Sequence, residues 1–162
     1  MNMPDIVGPN SFGQLHPNHP DLIFTWGNPS RGDDALGPAL YELLQQEALD
    51  GVDLLTDFQL QIEHSIDLEG RQCVLFVDAS TSATAPFELV QLQPEQDASY
   101  TTHAMSPQAL LSVYQQVNGS PPPPAWLLSI RGYEFGLGLP LSTAANQHLL
   151  AAFNHIKELI KR

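Results

Sequence analysis

The chain has 162 residues, of which 18 are acidic and 6 are basic, so its formal net charge is -12. Hydrophobic residues make up 43% of the sequence, which suits one domain with a sizeable core. The negative charge disfavours nucleic acid and anionic membranes as partners, because both would be repelled. The single cysteine, Cys73, excludes an internal disulfide and a cysteine-rich metal cluster. No apolar run approaches the roughly 20 residues of a membrane helix and no secretory signal is recognisable, so we expect a cytoplasmic protein.

The first half of the chain predicts strands that alternate with helices. Residues 22–26 form a short apolar run that ends at a glycine, which is typical of a buried strand. Between residues 35 and 48 apolar side chains recur at helical spacing, and Pro38 places the start of this helix near Gly37. The elements predicted next are a strand at 52–58, a short helix at 61–68 and a strand at 73–78.

The second half predicts one strand that runs against the others. Residues 88–93 follow the third strand after a link too short for a parallel crossover, so we expect an antiparallel strand there. Residues 106–117 predict a helix with Ser106 as its N-cap. A strand at 126–130 and a long amphipathic helix at 141–162 complete the pattern.

This alternation predicts the α/β class, as a three-layer α/β/α sandwich whose central sheet is mainly parallel with one antiparallel strand. Residues 21–162 would form the single domain, and residues 1–20 are expected to be a flexible N-terminal extension. In open α/β sheets, sites form outside the carboxyl ends of the strands. The residues that directly follow strands are therefore the candidates for chemistry.

The loop after the first strand contains two adjacent aspartates, Asp33 and Asp34. It lacks both a Walker A motif and a dinucleotide fingerprint, and its carboxylates would repel phosphate. A carboxylate at a helix entrance stays ionised because of the helix dipole, which makes it a ready metal ligand. The alternative is that both aspartates only cap the helix, although two exceed what one cap requires.

Asp78 and His103 are further candidates at the same edge. Asp78 ends an apolar strand, where a charge is costly unless it is paired, bound to an ion or bonded to loop amides. His103 follows the antiparallel strand. Together with Asp34 they offer two carboxylates and one imidazole, a set that suits nickel or zinc. Glu63 is either a fourth carboxylate of this site or a solvated helix residue.

Other hydrolase classes are disfavoured. The sequence has no G-x-S-x-G elbow of a serine hydrolase and no H-E-x-x-H motif of a helix-borne zinc protease. Cys73 begins a strand rather than a helix, so it lacks the surroundings that activate a thiol.

The assembled motifs resemble those of the [NiFe] hydrogenase maturation endopeptidase family. That family opens with a strand and a G-N-x(4)-D-[DE]-[GA]-x-G loop, matched here by Gly27, Asn28, Asp33, Asp34, Ala35 and Gly37. The later matches, in order, are Asp78-Ala79, Thr101-Thr102-His103, the Gly-rich turn at 136–139 and Leu141-Ser142. The resemblance covers about residues 22–162. The extra N-terminal residues, the proline run at 121–124 and the segment 59–64 depart from the usual pattern; the last resembles the group that serves bidirectional, NAD-linked hydrogenases.

The resemblance implies an activity, a substrate and a metal. The chain would be an endopeptidase that removes the C-terminal extension of a [NiFe] hydrogenase large-subunit precursor after nickel insertion. Asp34, Asp78 and His103 would be its catalytic, metal-contacting residues, and the nickel would arrive with the precursor rather than stay bound to the enzyme. We expect this enzyme to be a monomer.

Two questions stay open from the sequence. The metal either polarises the scissile carbonyl or a water, or it only anchors the precursor while a carboxylate such as Asp33 or Glu63 activates water. The chain as a whole is either the endopeptidase, a non-catalytic metal or large-subunit chaperone that uses the same ligands, or a small-molecule hydrolase with a closed pocket.

Overall fold

The computed structural model describes residues 20–96 and 105–161. The strands are β1 (Leu22–Trp26), β2 (Asp53–Asp57), β3 (Val74–Ser80), β4 (Phe87–Gln91) and β5 (Ala125–Arg131). The α-helices are α1 (Leu36–Gln45), α2 (Pro107–Asn118) and α3 (Thr143–Ile160). Two 3-10 helices cover Gly32–Ala35 and Ile62–Leu68. None of the helices in these two stretches is long and apolar enough to cross a membrane.

The five strands form one sheet in the order β2-β1-β3-β5-β4. β1 pairs in parallel with β2 and with β3, and β3 pairs in parallel with β5. β4 pairs antiparallel with β5 at the edge of the sheet. The predicted α/β class and the single antiparallel strand are therefore confirmed.

Each face of the sheet is covered by its own apolar core. On one face, α1 and α3 pack against side chains such as Ile23, Leu75 and Trp126. On the other face, α2 and the second 3-10 helix pack against Phe24 and Phe76. β1 is buried along its whole length because both of its faces are covered, which explains its uninterrupted apolar sequence.

Most predicted boundaries agree with the structure to within three residues. The Ser106 hydroxyl caps α2 by accepting a hydrogen bond from the Ala109 N–H at 3.0 Å, as predicted. The helix predicted at 61–68 is a 3-10 helix, and the strand that contains Asp78 continues to Ser80. The predicted extension at 1–20 lies almost entirely outside the described residues.

Candidate active site

The loop between β1 and α1 wraps closely around the end of the strand. Gly27 has a φ of +149°, and a Cβ at this position would overlap the carbonyl oxygen of Asp34. A Cβ at Gly37 would likewise overlap the carbonyl oxygen of Trp26. Both glycines of the sequence motif are thus required by close backbone approach, and they fix Asp34 beside the carboxyl end of β1.

Asp33 connects this loop to the segment that follows β5. Its Oδ2 accepts hydrogen bonds from the N–H groups of Tyr133 and Glu134, at 2.7 and 3.0 Å, and from the Ser142 hydroxyl at 2.8 Å. Its Oδ1 accepts from the Ser142 N–H at 2.7 Å. Burial alone would raise the pKa of Asp33, but the bonds from Ser142, Glu134 and Tyr133 hold it below the ordinary value.

This arrangement gives Asp33 a structural role. Its side chain is fully buried and accepts four hydrogen bonds, three at Oδ2 and one at Oδ1. Burial shields these oxygens from water, which argues against the hypothesis that Asp33 activates one. Neither aspartate caps the 3-10 helix Gly32–Ala35. The N-cap residue of this helix is Arg31, and its side chain makes no capping hydrogen bond.

Asp34 turns the other way and lies partly buried. Its Oδ2 accepts a hydrogen bond from the Asn28 N–H at 2.7 Å, and the Asn28 Oδ1 accepts from the Ser30 N–H at 2.8 Å. These bonds close the loop on itself. The negative charge of Asp34 acts on Asp78, so the two carboxylates lie close enough to repel each other.

Asp78 lies in β3, partly buried, on the face that carries Phe76. Burial and then the charge of Asp34 raise its pKa to about 7, although hydrogen bonds from the Ala79 N–H and the Trp26 side chain oppose the rise. The Ala79 bond measures 2.7 Å. Asp78 is thus bonded to a neighbouring amide, which is one of the alternatives predicted from the sequence. The Ala79 and Trp26 donors do not, however, cancel the rise in pKa that burial causes.

The predicted metal ion would bind at the Asp34–Asp78 pair. A cation between the two carboxylates would remove their repulsion and favour the charged form of Asp78. His103, the third predicted ligand, lies outside the described residues. Within 20–96 and 105–161, no group of three or more His, Cys, Asp or Glu side chains could hold a metal ion. Glu63 is exposed at the start of the second 3-10 helix.

The structure reveals a carboxylate–histidine pair that the sequence analysis missed. The Gln61 N–H donates to His64 Nδ1 at 2.9 Å, so the ring proton is on Nε2, and Nε2 lies 3.1 Å from Asp57 Oδ2. The Phe58 N–H donates to Asp57 Oδ1 at 2.7 Å. The signal in the sequence is that Asp57 ends β2 much as Asp78 stands near the end of β3. This signal is weak because β2 is a half-exposed edge strand, where a carboxylate can be solvated and does not indicate a site.

Cys73 agrees with the prediction that its thiol is not activated. It is buried directly before β3, and burial, followed by the nearby charge of Asp21, raises the pKa of its thiol. A thiol in this state is a poor nucleophile.

No family model and no curated protein matches the sequence. Solved structures do match. The [NiFe] hydrogenase maturation protease HycI from Thermococcus kodakarensis is 21% identical, with a TM-score of 0.67 over 87% of this chain and 92% of that one. The hydrogenase maturating endopeptidase HybD from E. coli is 21% identical, with a TM-score of 0.68 over 86% and 91%. A hydrogenase 2 maturation peptidase from a Thaumarchaeota archaeon is 24% identical, with a TM-score of 0.59 over 85% and 95%. These likenesses show that the chain has the fold of those proteins over nearly its whole described length.

Proposed function

We propose that this chain is an endopeptidase that removes the C-terminal extension from the large-subunit precursor of a [NiFe] hydrogenase after nickel insertion. The observation that carries the proposal is the pair of facing carboxylates, Asp34 and Asp78, on the carboxyl edge of the sheet. The pair lies in a fold that the chain shares with proteins described as hydrogenase maturation proteases. Fold alone does not define function, so the proposal depends on the chemistry of this edge.

The proposed role of Asp34, Asp78 and His103 is to contact nickel that the precursor brings. Three side chains leave coordination positions free for groups of the precursor, and imidazole with carboxylate suits nickel. The raised pKa of Asp78 supports this role, because an arriving cation gains by displacing a proton from a carboxylate whose charge is poorly compensated. An empty precursor would bring neither the charge nor the geometry of the ion.

The surface around the pair supports a protein substrate rather than a small molecule. Large apolar side chains are exposed in the segments that follow β2 and β5: Phe58, Ile62, Ile66, Tyr133, Leu137 and Leu139. Since β1 and β3 lie between β2 and β5, these side chains flank the carboxylate pair on both sides. Exposed apolar groups around a site mark a surface that another macromolecule covers.

A finer part of the proposal concerns the group of hydrogenases whose precursor is cut. The segment 59–64 resembles the group that serves bidirectional, NAD-linked hydrogenases, and we expect the precursor of such an enzyme to be processed faster than others. We also expect the enzyme to act as a monomer in the cytoplasm.

The proposal is tested by incubating the chain with nickel-loaded and nickel-free precursor and measuring the precursor's mass. We expect one cut near the C-terminus, and only in the nickel-loaded sample. Complex formation without a change of mass would instead identify a large-subunit chaperone. Equal cleavage of both samples would refute the recognition of nickel while leaving the peptidase activity in place.

A further inference from the structure

Asp57 lies in the same row of the sheet as the proposed nickel site. The register pairs Trp26 of β1 with Asp57 of β2, and the next row after Thr25 and Val77 brings Trp26 beside Asp78 of β3. Side chains in one row of a parallel sheet point to the same face. Asp57, Trp26 and Asp78 therefore lie side by side on three adjacent strands.

Trp26 separates Asp57 from Asp78 in this row. Neighbouring strands lie about 4.8 Å apart, so the backbones of Asp57 and Asp78 are roughly 10 Å apart. The Trp26 side chain stands between them and donates a hydrogen bond to Asp78. Among the described residues no group of three His, Cys, Asp or Glu side chains could hold one ion, so Asp57 does not join Asp34 and Asp78 around it. A substrate that reaches from the ion to Asp57 would cross Trp26.

The Asp57 carboxylate is held in one orientation but is not saturated. His64 donates to one of its oxygens and the Phe58 N–H to the other, which leaves acceptor positions free on both. The side chain of Asp57 is 40% exposed and that of His64 only 13%. The His64 ring is fixed by the Gln61 N–H and by an edge contact with Phe24, whose ring centre is 4.7 Å away.

Other carboxylates at this edge are less suited to accept a proton from water. Asp33 is fully buried and bonded to the segment after β5, and Asp34 and Asp78 are assigned to the ion. Glu63 is exposed on the second 3-10 helix. Asp57 combines access to solvent with a fixed orientation, which is what general base catalysis requires.

Resting on the proposed function, we propose that Asp57 is the general base of the cleavage and that His64 is its positioning residue. Asp57 takes a proton from a water as the water oxygen forms a bond to the scissile carbonyl carbon. The C–N bond then breaks, and Asp57 returns the proton to the departing nitrogen. Water and precursor are the only reactants. His64 keeps its Nε2 proton throughout and holds the Asp57 carboxylate toward the substrate.

The test compares Asp57→Asn with Asp53→Asn in cleavage of nickel-loaded precursor. Asp53 lies on the same strand and also binds a basic side chain, with Arg71 Nη1 2.6 Å from its Oδ2, so both variants lose one hydrogen-bonded carboxylate from β2. We expect Asp57→Asn to lower kcat at least about 100-fold with KM within about threefold, because removing a general base affects the chemical step. Asp53→Asn should keep the wild-type rate.

A second series separates positioning from folding. His64→Gln retains an N–H that can reach Asp57, whereas His64→Leu does not. We expect kcat to fall in the order wild type, His64→Gln, His64→Leu, with KM unchanged. Added formate should restore part of the turnover of Asp57→Ala but have no effect on Asp53→Ala, since only a folded enzyme that lacks its base can use an external one.

The outcomes separate this inference from the proposed function. If the wild-type chain does not cleave the nickel-loaded precursor, the proposed function fails and the role of the pair fails with it. If wild type and Asp57→Asn cleave at the same rate, the function stands and Asp57 is not the base. A rise in KM alone, or an absence of formate rescue, would likewise overturn the assignment of Asp57 as the base.

Discussion

Two carboxylates near the carboxyl edge of the sheet, Asp33 and Asp78, have pKa values shifted in opposite directions. Asp33 is fully buried, yet hydrogen bonds from three residues keep its pKa below the ordinary value. Burial, and then the charge of Asp34, raise the pKa of Asp78 to about 7, and fewer donors oppose the rise. The donors thus keep the Asp33 carboxylate charged, whereas its surroundings favour the protonated form of Asp78. Asp33 is therefore suited to stabilising the fold, and Asp78 to the proposed contact with a cation.

The same contrast holds between neighbours in the chain. Asp33 and Asp34 both lie in the 3-10 helix Gly32–Ala35, but Asp33 bonds the segment after β5 while Asp34 bonds Asn28 within its own loop. Removing Asp33 should damage the fold, and removing Asp34 should damage the chemistry. The predictions below test this division, beginning with the largest effect.

Loss of a proposed nickel contact should abolish processing. We expect Asp34→Ala, Asp78→Ala and His103→Ala each to reduce cleavage of nickel-loaded precursor by more than about 100-fold, because the precursor's ion loses a ligand. The unfolding temperatures of Asp34→Ala and Asp78→Ala should change little, since both side chains are only partly buried. Cleavage is followed by mass spectrometry and unfolding by circular dichroism. Normal processing by Asp78→Ala would remove this residue from the site.

Loss of Asp33 should instead destabilise the protein. Asp33→Ala removes a buried carboxylate that accepts from three N–H groups, at about 1–3 kcal/mol each before relaxation, so we expect the free energy of unfolding to fall by roughly 3–5 kcal/mol. Urea titration should show a lower midpoint with an unchanged slope. Asp34→Ala is the matched control, because it removes one such bond from the same loop. An equal loss of stability in the two variants would contradict the division.

The sequence predicted the elements well because the signals for them are local. Buried strands such as β1 appear as apolar runs, and the N-cap Ser106 precedes its helix directly. The rule that sites form at the carboxyl ends of parallel strands was also enough to bring Asp34 and Asp78 together.

What the sequence did not predict depends on distant contacts. Asp33 bonds Ser142, 109 positions away, and no local pattern separates it from Asp34. The bond between Asp57 and His64 requires the 3-10 turn after Gln61, whereas the sequence predicted only a short helix there. The succession of strands and helices along the chain was predictable from periodicity, but the direction in which each polar side chain points was not.

Asp33 and Asp78 should give opposite pH dependences of stability in metal-free protein. The folded-state pKa of Asp78 is raised from 3.8 to about 7, so its contribution to stability is complete below about pH 4 and is lost as the pH rises through 7. The free energy of unfolding of Asp78→Asn should therefore rise relative to wild type across this window, by about 1–3 kcal/mol at about pH 8.

The pKa of Asp33 is lowered, so its contribution to stability is present above pH 3.8 and is lost in acid below that value. The disadvantage of Asp33→Asn should accordingly shrink as the pH falls. Urea titrations with chelator present measure both, and parallel pH profiles for the two variants would contradict the opposite assignments.

The smallest effect should come from the serine that bonds Asp33. Ser142 and Ser106 both cap helices, accepting from the N–H groups of Ala145 at 3.2 Å and Ala109 at 3.0 Å, but only Ser142 also donates its hydroxyl to Asp33. Ser106→Ala should therefore cost about 1 kcal/mol for a lost cap, and Ser142→Ala about 1–2 kcal/mol more for a lost bond to a charged group. In an Asp33→Asn background the two serine variants should become nearly equal, because the charge that strengthens the Ser142 bond is gone. If Ser142→Ala remains costlier there by the same margin, the difference between the serines arises from the helices they cap and not from Asp33.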